Sequence, residues 1–352
     1  MTLNTPTPIT YQVKHQIGFI TLVRPESLNA LNLPMITTLH KILQAWHSDP
    51  NVRAVIVQGQ GERAFCAGGD LRSVYEAKQR KDPHFHDELF RKEYSFNLAI
   101  ANFPKPYISF MQGFAMGGGL GLSVHGSHRI VGENAQLAMP ETKIGYFPDV
   151  GASYFLNKAP GALGMYLALT GNIIGASDSL YARLATHFVP IKKHVEVIEA
   201  LLKENILGIS TVNTIIEKYS ENLPEGPLQP QQEHIDNLFE YPTLEQIFQA
   251  LEGDKSAFSQ DTLKTLKKRS PTSLQITFEL LKRNKGKTLA DAIEVEFQLS
   301  QIFIKKHDFF EGIRAVLIDK DQAPLWFPAS LKEIDPSIIE EYFTHQVNSL
   351  NR

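Results

Sequence analysis

The chain has a single cysteine in 352 residues, Cys66, so it cannot hold an internal disulfide and suits a reducing compartment. It has no excess of either charge: 35 Lys plus Arg stand against 38 Asp plus Glu, a formal net charge of −3. That balance disfavours a nucleic-acid partner, although a local basic patch could still hold a phosphate-bearing ligand. It has no apolar run long enough to span a bilayer. Residues Met1 to Pro8 have neither the positive and apolar regions of a secretory signal nor the arginines of a transit peptide. There is no fixed-period repeat and no low-complexity tract. The expectation is a soluble cytoplasmic protein without nucleic-acid or membrane partners. Hydrophobic content of 43% and charged content of 21% are ordinary for a globular protein.

What is present is a recurring order of strand, glycine turn and helix. Residues 11–23 alternate around Gly18 and end at Arg24-Pro25, which predicts two short strands with a turn. Met35, Ile36, Leu39, Ile42, Leu43 and Trp46 fall at helical spacing behind Pro34. Ala54–Val57 reads as a buried strand ending at Gly59. Ala67-Gly68-Gly69 reads as a sharp turn, with Asp70 as N-cap of a helix from Leu71. Residues 88–101 read as a helix and Tyr107–Met111 as a strand ending at Gly113, before the glycine run 117–119 opens another helix. This order predicts an α/β layered domain. From about residue 195 the texture changes: 195–218 and 246–284 have helical periodicity, with a Pro/Gly loop at 222–231 between them. The expected organisation is an α/β core over 1–195 and a mostly helical region over 196–352.

Two glycine turns follow short apolar strands and open helices, one at Gly68-Gly69 and one at Gly117-Gly118-Gly119. One N–H from each would make a two-donor oxyanion hole; alternatively, the glycines only permit tight turns. Glu141 follows Pro140 and Asp149 follows Pro148. Facing one pocket, they would repel and raise one carboxyl's pKa, giving an acid and a base. Otherwise they are two solvated loop carboxylates. Glu93, taken alone, reads as an exposed helix charge.

Other motifs read as structural. Ser123 in the stretch Gly121–His125 misses the nucleophile-elbow pattern, because His125 replaces its last glycine. Cys66 reads as a small buried residue. His84 and His86, beside Asp87 and Glu88, have metal-like spacing but read as a solvated loop. Gly286-Lys287-Thr288 lacks the upstream glycine of a phosphate loop.

Together these pieces resemble the crotonase (enoyl-CoA hydratase/isomerase) superfamily. The matching stretches are Arg24-Pro25 through Asn29-Ala30-Leu31, Ala64 to Asp70, Gly117 to Gly119, and Pro140-Glu141. Met116–Gly126, Met139–Gly151, Leu169–Gly171, Arg269–Ser273 and His307–Asp321 resemble its hydrolase branch. The resemblance implies a crotonase-like repeated ββα core with a helical C-terminal region. It implies oxyanion-hole amides at Gly69 and Gly118 and acyl-side residues Glu93, Glu141 and Asp149, with Glu141 and Asp149 catalytic. Hydratases of the superfamily carry a second catalytic glutamate three residues after the second oxyanion glycine, where this chain has Gly121. The implied activity is hydrolysis of 3-hydroxyisobutyryl-CoA, or a similar short 3-hydroxyacyl-CoA, in valine breakdown. The partner is then the acyl-CoA substrate, with no metal and no separate cofactor. Double-bond isomerisation or hydration, or non-catalytic binding of a CoA ester, are the alternatives. Related folds form trimers or hexamers, and the long helical region could cover the surfaces they use. A homo-oligomer, a dimer and a monomer all stay open.

Overall fold

The computed structural model describes residues 7–204, 207–344 and 349–350. It falls into two compact units that interleave along the chain. The first comprises residues up to Asp70, Ser95–Leu137 and Ile174–Gly226; the second comprises Leu71–Tyr94, Ala138–Ile173 and the chain from Pro227 onward. This partition follows contacts. The expected change near residue 195 follows element type, and the last described strand ends at Phe188.

The first unit contains a six-stranded sheet in the order β1-β2-β3-β5-β7-β9. The strands are β1 Ile9–Lys14, β2 Ile17–Leu22, β3 Ala54–Gly59, β5 Tyr107–Met111, β7 His128–Val131 and β9 His187–Phe188. β1 and β2 form an antiparallel hairpin, and every later neighbour is parallel. The hairpin turn is His15-Gln16, both with positive φ, as a two-residue turn of this hand requires. Gly18 is therefore not in the turn. It lies inside β2, where a Cβ would fall 2.5 Å from Trp46 Cζ3, so its role is to admit the indole.

Alternation places the two faces of β3 in different layers. Ala54 and Ile56 join Ile17, Ile108, Phe110 and Ile130 in a core closed by Val197, Leu201, Val212 and Ile216. Those last four come from helices His194–Leu202 and Ile209–Tyr219, so the helical periodicity over 195–218 belongs to two helices. The helix Leu33–His47 starts behind Asn32, whose side chain accepts from Met35 N at 3.0 Å, and buries the predicted stripe. A second, three-stranded sheet has the order β4-β6-β8, from Ala64–Cys66, Phe114–Met116 and Gln136–Ala138.

The second unit is almost wholly helical. Leu244–Gly253, Ala257–Leu266, Pro271–Asn284 and Leu289–Phe303 are capped by Thr243, Ser256, Ser270 and Thr288, each accepting from the N–H three residues on. The helix expected at 88–101 begins at Pro83, because Asp82 accepts from the N–H groups of His84 and Phe85. His84 and His86 are thus helical, not in a solvated loop, and buried His86 bonds through Nε2 to Val74 O at 2.9 Å. Among the described residues no helix is long and apolar enough to cross a membrane.

Candidate active site

In the first unit the chemistry-bearing groups are peptide N–H groups. β4 and β6 run parallel with Cys66 beside Ala115, so the glycine turns that follow them leave neighbouring strand ends. A Cβ on Gly68, whose φ is +101°, would sit 3.0 Å from Met116 O and 3.5 Å from Gly118 N. Gly119 presses onto the other strand, where a Cβ would meet Cys66 O at 2.1 Å. Gly69 differs: no heavy atom lies within 4 Å of its Cβ position. Among the described residues no acceptor takes the N–H of Gly69 or of Gly118. Gly118 opens the helical turn Gly118–Gly121, whose first N–H groups have no intrahelical acceptor.

The Arg24–Leu31 stretch holds the first turn in place. Leu31 N donates to Gly68 O and Asp70 N to Leu31 O, both at 2.8 Å. Buried Asn29 donates to Ala64 O at 2.9 Å and to Gln60 O at 3.1 Å. Arg24 donates to Ala30 O at 3.1 Å and pairs with Asp70 at 2.8 Å. The pattern that reads as a family motif in sequence is therefore a set of ties around a backbone turn.

In the second unit the candidates are carboxylates. Glu93, Glu141 and Asp149 are all buried, so neither the exposed-helix reading of Glu93 nor the solvated-loop reading of the other two holds. Burial pushes the Glu93 carboxyl up to about 8, with repulsion from Asp149 adding to it. Burial also pushes Asp149 up to about 7, against a hydrogen bond from Tyr94 that pulls it down. Glu141 stands well above the usual carboxylate range, through burial first and then repulsion from Asp149, Glu93 and Glu296. Such a set shares protons, because ionising one member opposes ionising the next. Glu141 opens the short 3-10 turn Glu141–Ile144, and its Oε2 has no hydrogen-bond partner among the described residues.

The desolvation has a visible source. Tyr146 packs against Phe147, Phe309, Phe303 and Phe90 with ring centroids 4.4, 4.6, 5.3 and 5.9 Å away. Tyr94 meets Phe297 edge-on. The C-terminal motifs fasten this aromatic cluster. Ser273 Oγ donates to Tyr146 O, Ser270 Oγ to Asp308 at 2.5 Å, and Arg269 to Thr170 O at 2.7 Å.

Sequence reasoning missed Glu296. It is fully buried, accepts from Gly151 N, Ser153 N and Ser153 Oγ, and is pushed by burial up to about 8. The available signal was a glutamate on the apolar stripe of its helix, between Ile293, Phe297 and Ser300. The residues read as structural behave so. Ser123 is buried with Oγ donating to Gly119 O at 3.0 Å, and Cys66 is buried in β4. Gly286 and Lys287 lie between two helices, where Thr288 is an N-cap.

An α/β fold with glycine turns after its parallel strands defines the class of protein. The sequence pattern of the family described as enoyl-CoA hydratase/isomerase matches residues 17–343. A protein of Bos taurus named 3-hydroxyisobutyryl-CoA hydrolase, mitochondrial, is 45% identical over 332 residues, covering 93% of this chain and 86% of its own. The Homo sapiens protein of that name is 43% identical over 336 residues, with the same coverage. Among solved structures, a carnitinyl-CoA dehydratase from Mycobacterium thermoresistibile is similar at 35% identity and a TM-score of 0.91, covering 97% of this chain and 98% of that one. An enoyl-CoA hydratase from Rhodobacter sphaeroides 2.4.1 is similar at 37% identity and 0.89, covering 96% and 97%. The chain belongs to the enoyl-CoA hydratase/isomerase family, and its fold is the crotonase-like α/β core with a helical C-terminal region. The names of the curated relatives place those proteins in mitochondria, so the cytoplasmic expectation drawn from sequence finds no support in them.

Proposed function

We infer that this chain is an acyl-CoA thioester hydrolase that cleaves 3-hydroxyisobutyryl-CoA, or a similar short 3-hydroxyacyl-CoA, to free CoA and the 3-hydroxy acid. The observation that carries the reading is the 45% identity, over 93% of the chain, to a relative of that name. Gly121 supports it. That buried position lacks the second carboxylate that water addition to a double bond needs, which weighs against the hydratase and dehydratase activities in the titles of similar structures.

The thioester oxygen accepts from the N–H groups of Gly69 and Gly118 as it gains charge, and losing one such donor costs about 10²–10³ in rate. Glu141 takes a proton from water while the water oxygen bonds to the carbonyl carbon. The C–S bond then breaks, and the proton passes to the leaving thiolate. In the alternative route Glu141 attacks the carbonyl itself, and water hydrolyses the resulting anhydride. Label from heavy-oxygen water in Glu141 after repeated turnovers supports the anhydride, and its absence sinks that route. Burial, with repulsion from Asp149, lifts the Glu141 carboxyl well above the usual carboxylate range, which makes its ionised form a stronger base. Asp149 and Glu93 bind the substrate hydroxyl and tune Glu141. Thioester hydrolysis is downhill, so the reaction uses no metal and no organic cofactor, and the product enters valine breakdown.

The test is thiol release from (S)-3-hydroxyisobutyryl-CoA by the purified protein beside Glu141→Gln, with crotonyl-CoA as the competing substrate. Release that falls by about 10² or more in the variant is expected, given what a catalytic base contributes. No release by folded protein that binds CoA esters, or turnover of crotonyl-CoA instead, overturns the reading.

A further inference from the structure

We propose that Glu296 is a positioning residue for this reaction: its carboxylate clamps the backbone at Gly151 and Ser153 and thereby holds the strained turn that aims Asp149. The proposal rests on the hydrolase reading for the role of Asp149 and goes beyond it in naming what fixes that residue.

The strain is local and specific. Asp149 is followed by Val150 at φ +54° and Gly151 at φ +86°, two successive residues in the left-handed region. Glycine adopts that region freely, but a β-branched residue does so only where its surroundings over-determine it. Val150 is 1% exposed, so the surroundings are tight. Glu296 supplies a determinant from a distant part of the chain. Its Oε2 accepts from Gly151 N at 2.6 Å, and its Oε1 accepts from Ser153 N at 3.0 Å and Ser153 Oγ at 2.5 Å. Asn284 Nδ2 donates to Ser153 Oγ at 2.8 Å and so orients that hydroxyl toward Glu296. Asp149 is then fixed at both ends, by Tyr94 at its carboxylate and by Glu296 through the backbone that follows it.

Stability alone is a poor reason for such a residue. A fully buried carboxylate must be desolvated, and apolar side chains of similar volume serve a helix stripe as well or better. Ile293 and Phe297 on the same stripe show what packing there requires. A carboxylate instead offers two oxygens that accept from three donors at once, which no apolar side chain can do.

Glu296→Gln tests the clamp with little change of size. Its one carbonyl oxygen can keep the Ser153 donors, but its NH2 then meets the Gly151 N–H, donor against donor. The expected result in the thiol-release assay is a kcat lower by about tenfold or more with KM changed by less than about threefold, the signature of a misplaced reacting group. An unchanged kcat per folded molecule overturns the proposal, since it leaves Glu296 only a packing role. A crystal structure of the variant decides independently of any substrate. Val150 leaving positive φ, with a longer Tyr94–Asp149 contact, supports the clamp; an unaltered turn overturns it. A wild type inactive on the thioester counts against the hydrolase reading, and the crystal structure then still decides this one. Where Glu296→Gln yields no folded protein, Ser153→Ala removes one of the three donors. A smaller kcat loss at constant KM supports the clamp, and an unchanged kcat overturns it.

Discussion

Tyr94 donates its phenolic hydrogen to Asp149 Oδ2 at 2.7 Å, and both side chains are buried. The bond favours the ionised carboxylate and works against the burial that lifts Asp149 to about 7. Tyr94 directly follows Glu93 on its helix, so one turn of chain delivers a carboxylate and the hydroxyl that tunes its neighbour.

Tyr94→Phe should therefore raise the Asp149 carboxyl. Losing a bond to the charged form disfavours that form, so the acidic limb of kcat/KM moves to higher pH. At pH 7 the rate should drop by about tenfold, the order of one hydrogen bond to a charged group. A pH–rate profile of the variant beside the wild type checks this; coincident limbs would remove Asp149 from the titration that governs activity.

The two glycine turns predict opposite failures. Alanine at Gly69 meets no heavy atom within 4 Å, so Gly69→Ala should fold with an unchanged melting temperature. Its methyl group stands beside a proposed oxyanion donor, and a displacement of about 1 Å there costs on the order of 10² in rate. Alanine at Gly119 would place Cβ 2.1 Å from Cys66 O, a backbone atom that cannot give way. Gly119→Ala should lose folded protein before it loses activity. Thermal melts and thiol release on both variants separate the cases, and a stable, active Gly119→Ala would contradict the packing.

The glycine turns were legible because glycines after short strands announce turns, and the parallel pairing of β4 with β6 brings the two turns together. The carboxylates were only partly legible. Pro140 and Pro148 flag Glu141 and Asp149 as special, but nothing local says that residues about 150 positions away bury them. Glu93 was least readable from its neighbours: Arg91 and Lys92 suggest a solvated face, whereas Tyr94 and Phe90 pack into the aromatic cluster. Gly18 misled because glycine signals both turns and close packing, and only Trp46 decides between them.

Breaking the Arg24–Asp70 pair should loosen the turn that carries Gly69. The pair is 2.8 Å long, with side chains 22% and 13% exposed. Asp70→Asn keeps the shape and removes the charge, at about 1–3 kcal/mol for a hydrogen bond to a charged group. Chemical denaturation should show that loss, with kcat falling more than KM rises. Stability and kcat both equal to wild type would mean the turn is held by the Leu31 and Asn29 ties alone.

The buried carboxylates also set how stability depends on pH. Glu93 and Glu296 are raised to about 8, Asp149 to about 7, and Glu141 well above the usual range. Each binds its proton more tightly in the folded chain than in the unfolded one. Their contribution is thus complete below the ordinary carboxylate range and is lost as pH rises through 7 to 8. The buried histidines His86, His128 and His194 and the half-buried His187 are shifted down, so they matter on the acid side and are neutral in both states above about pH 7. The melting temperature should fall between pH 7 and pH 9. Glu93→Gln should flatten that fall, since it removes one group worth about 1.4 kcal/mol per pH unit while it is protonated only in the folded state. Melts across that range check the sign directly. A melting temperature that rises with pH, or a Glu93→Gln profile parallel to wild type, would mean that these carboxyl groups are already ionised in the folded protein at neutral pH.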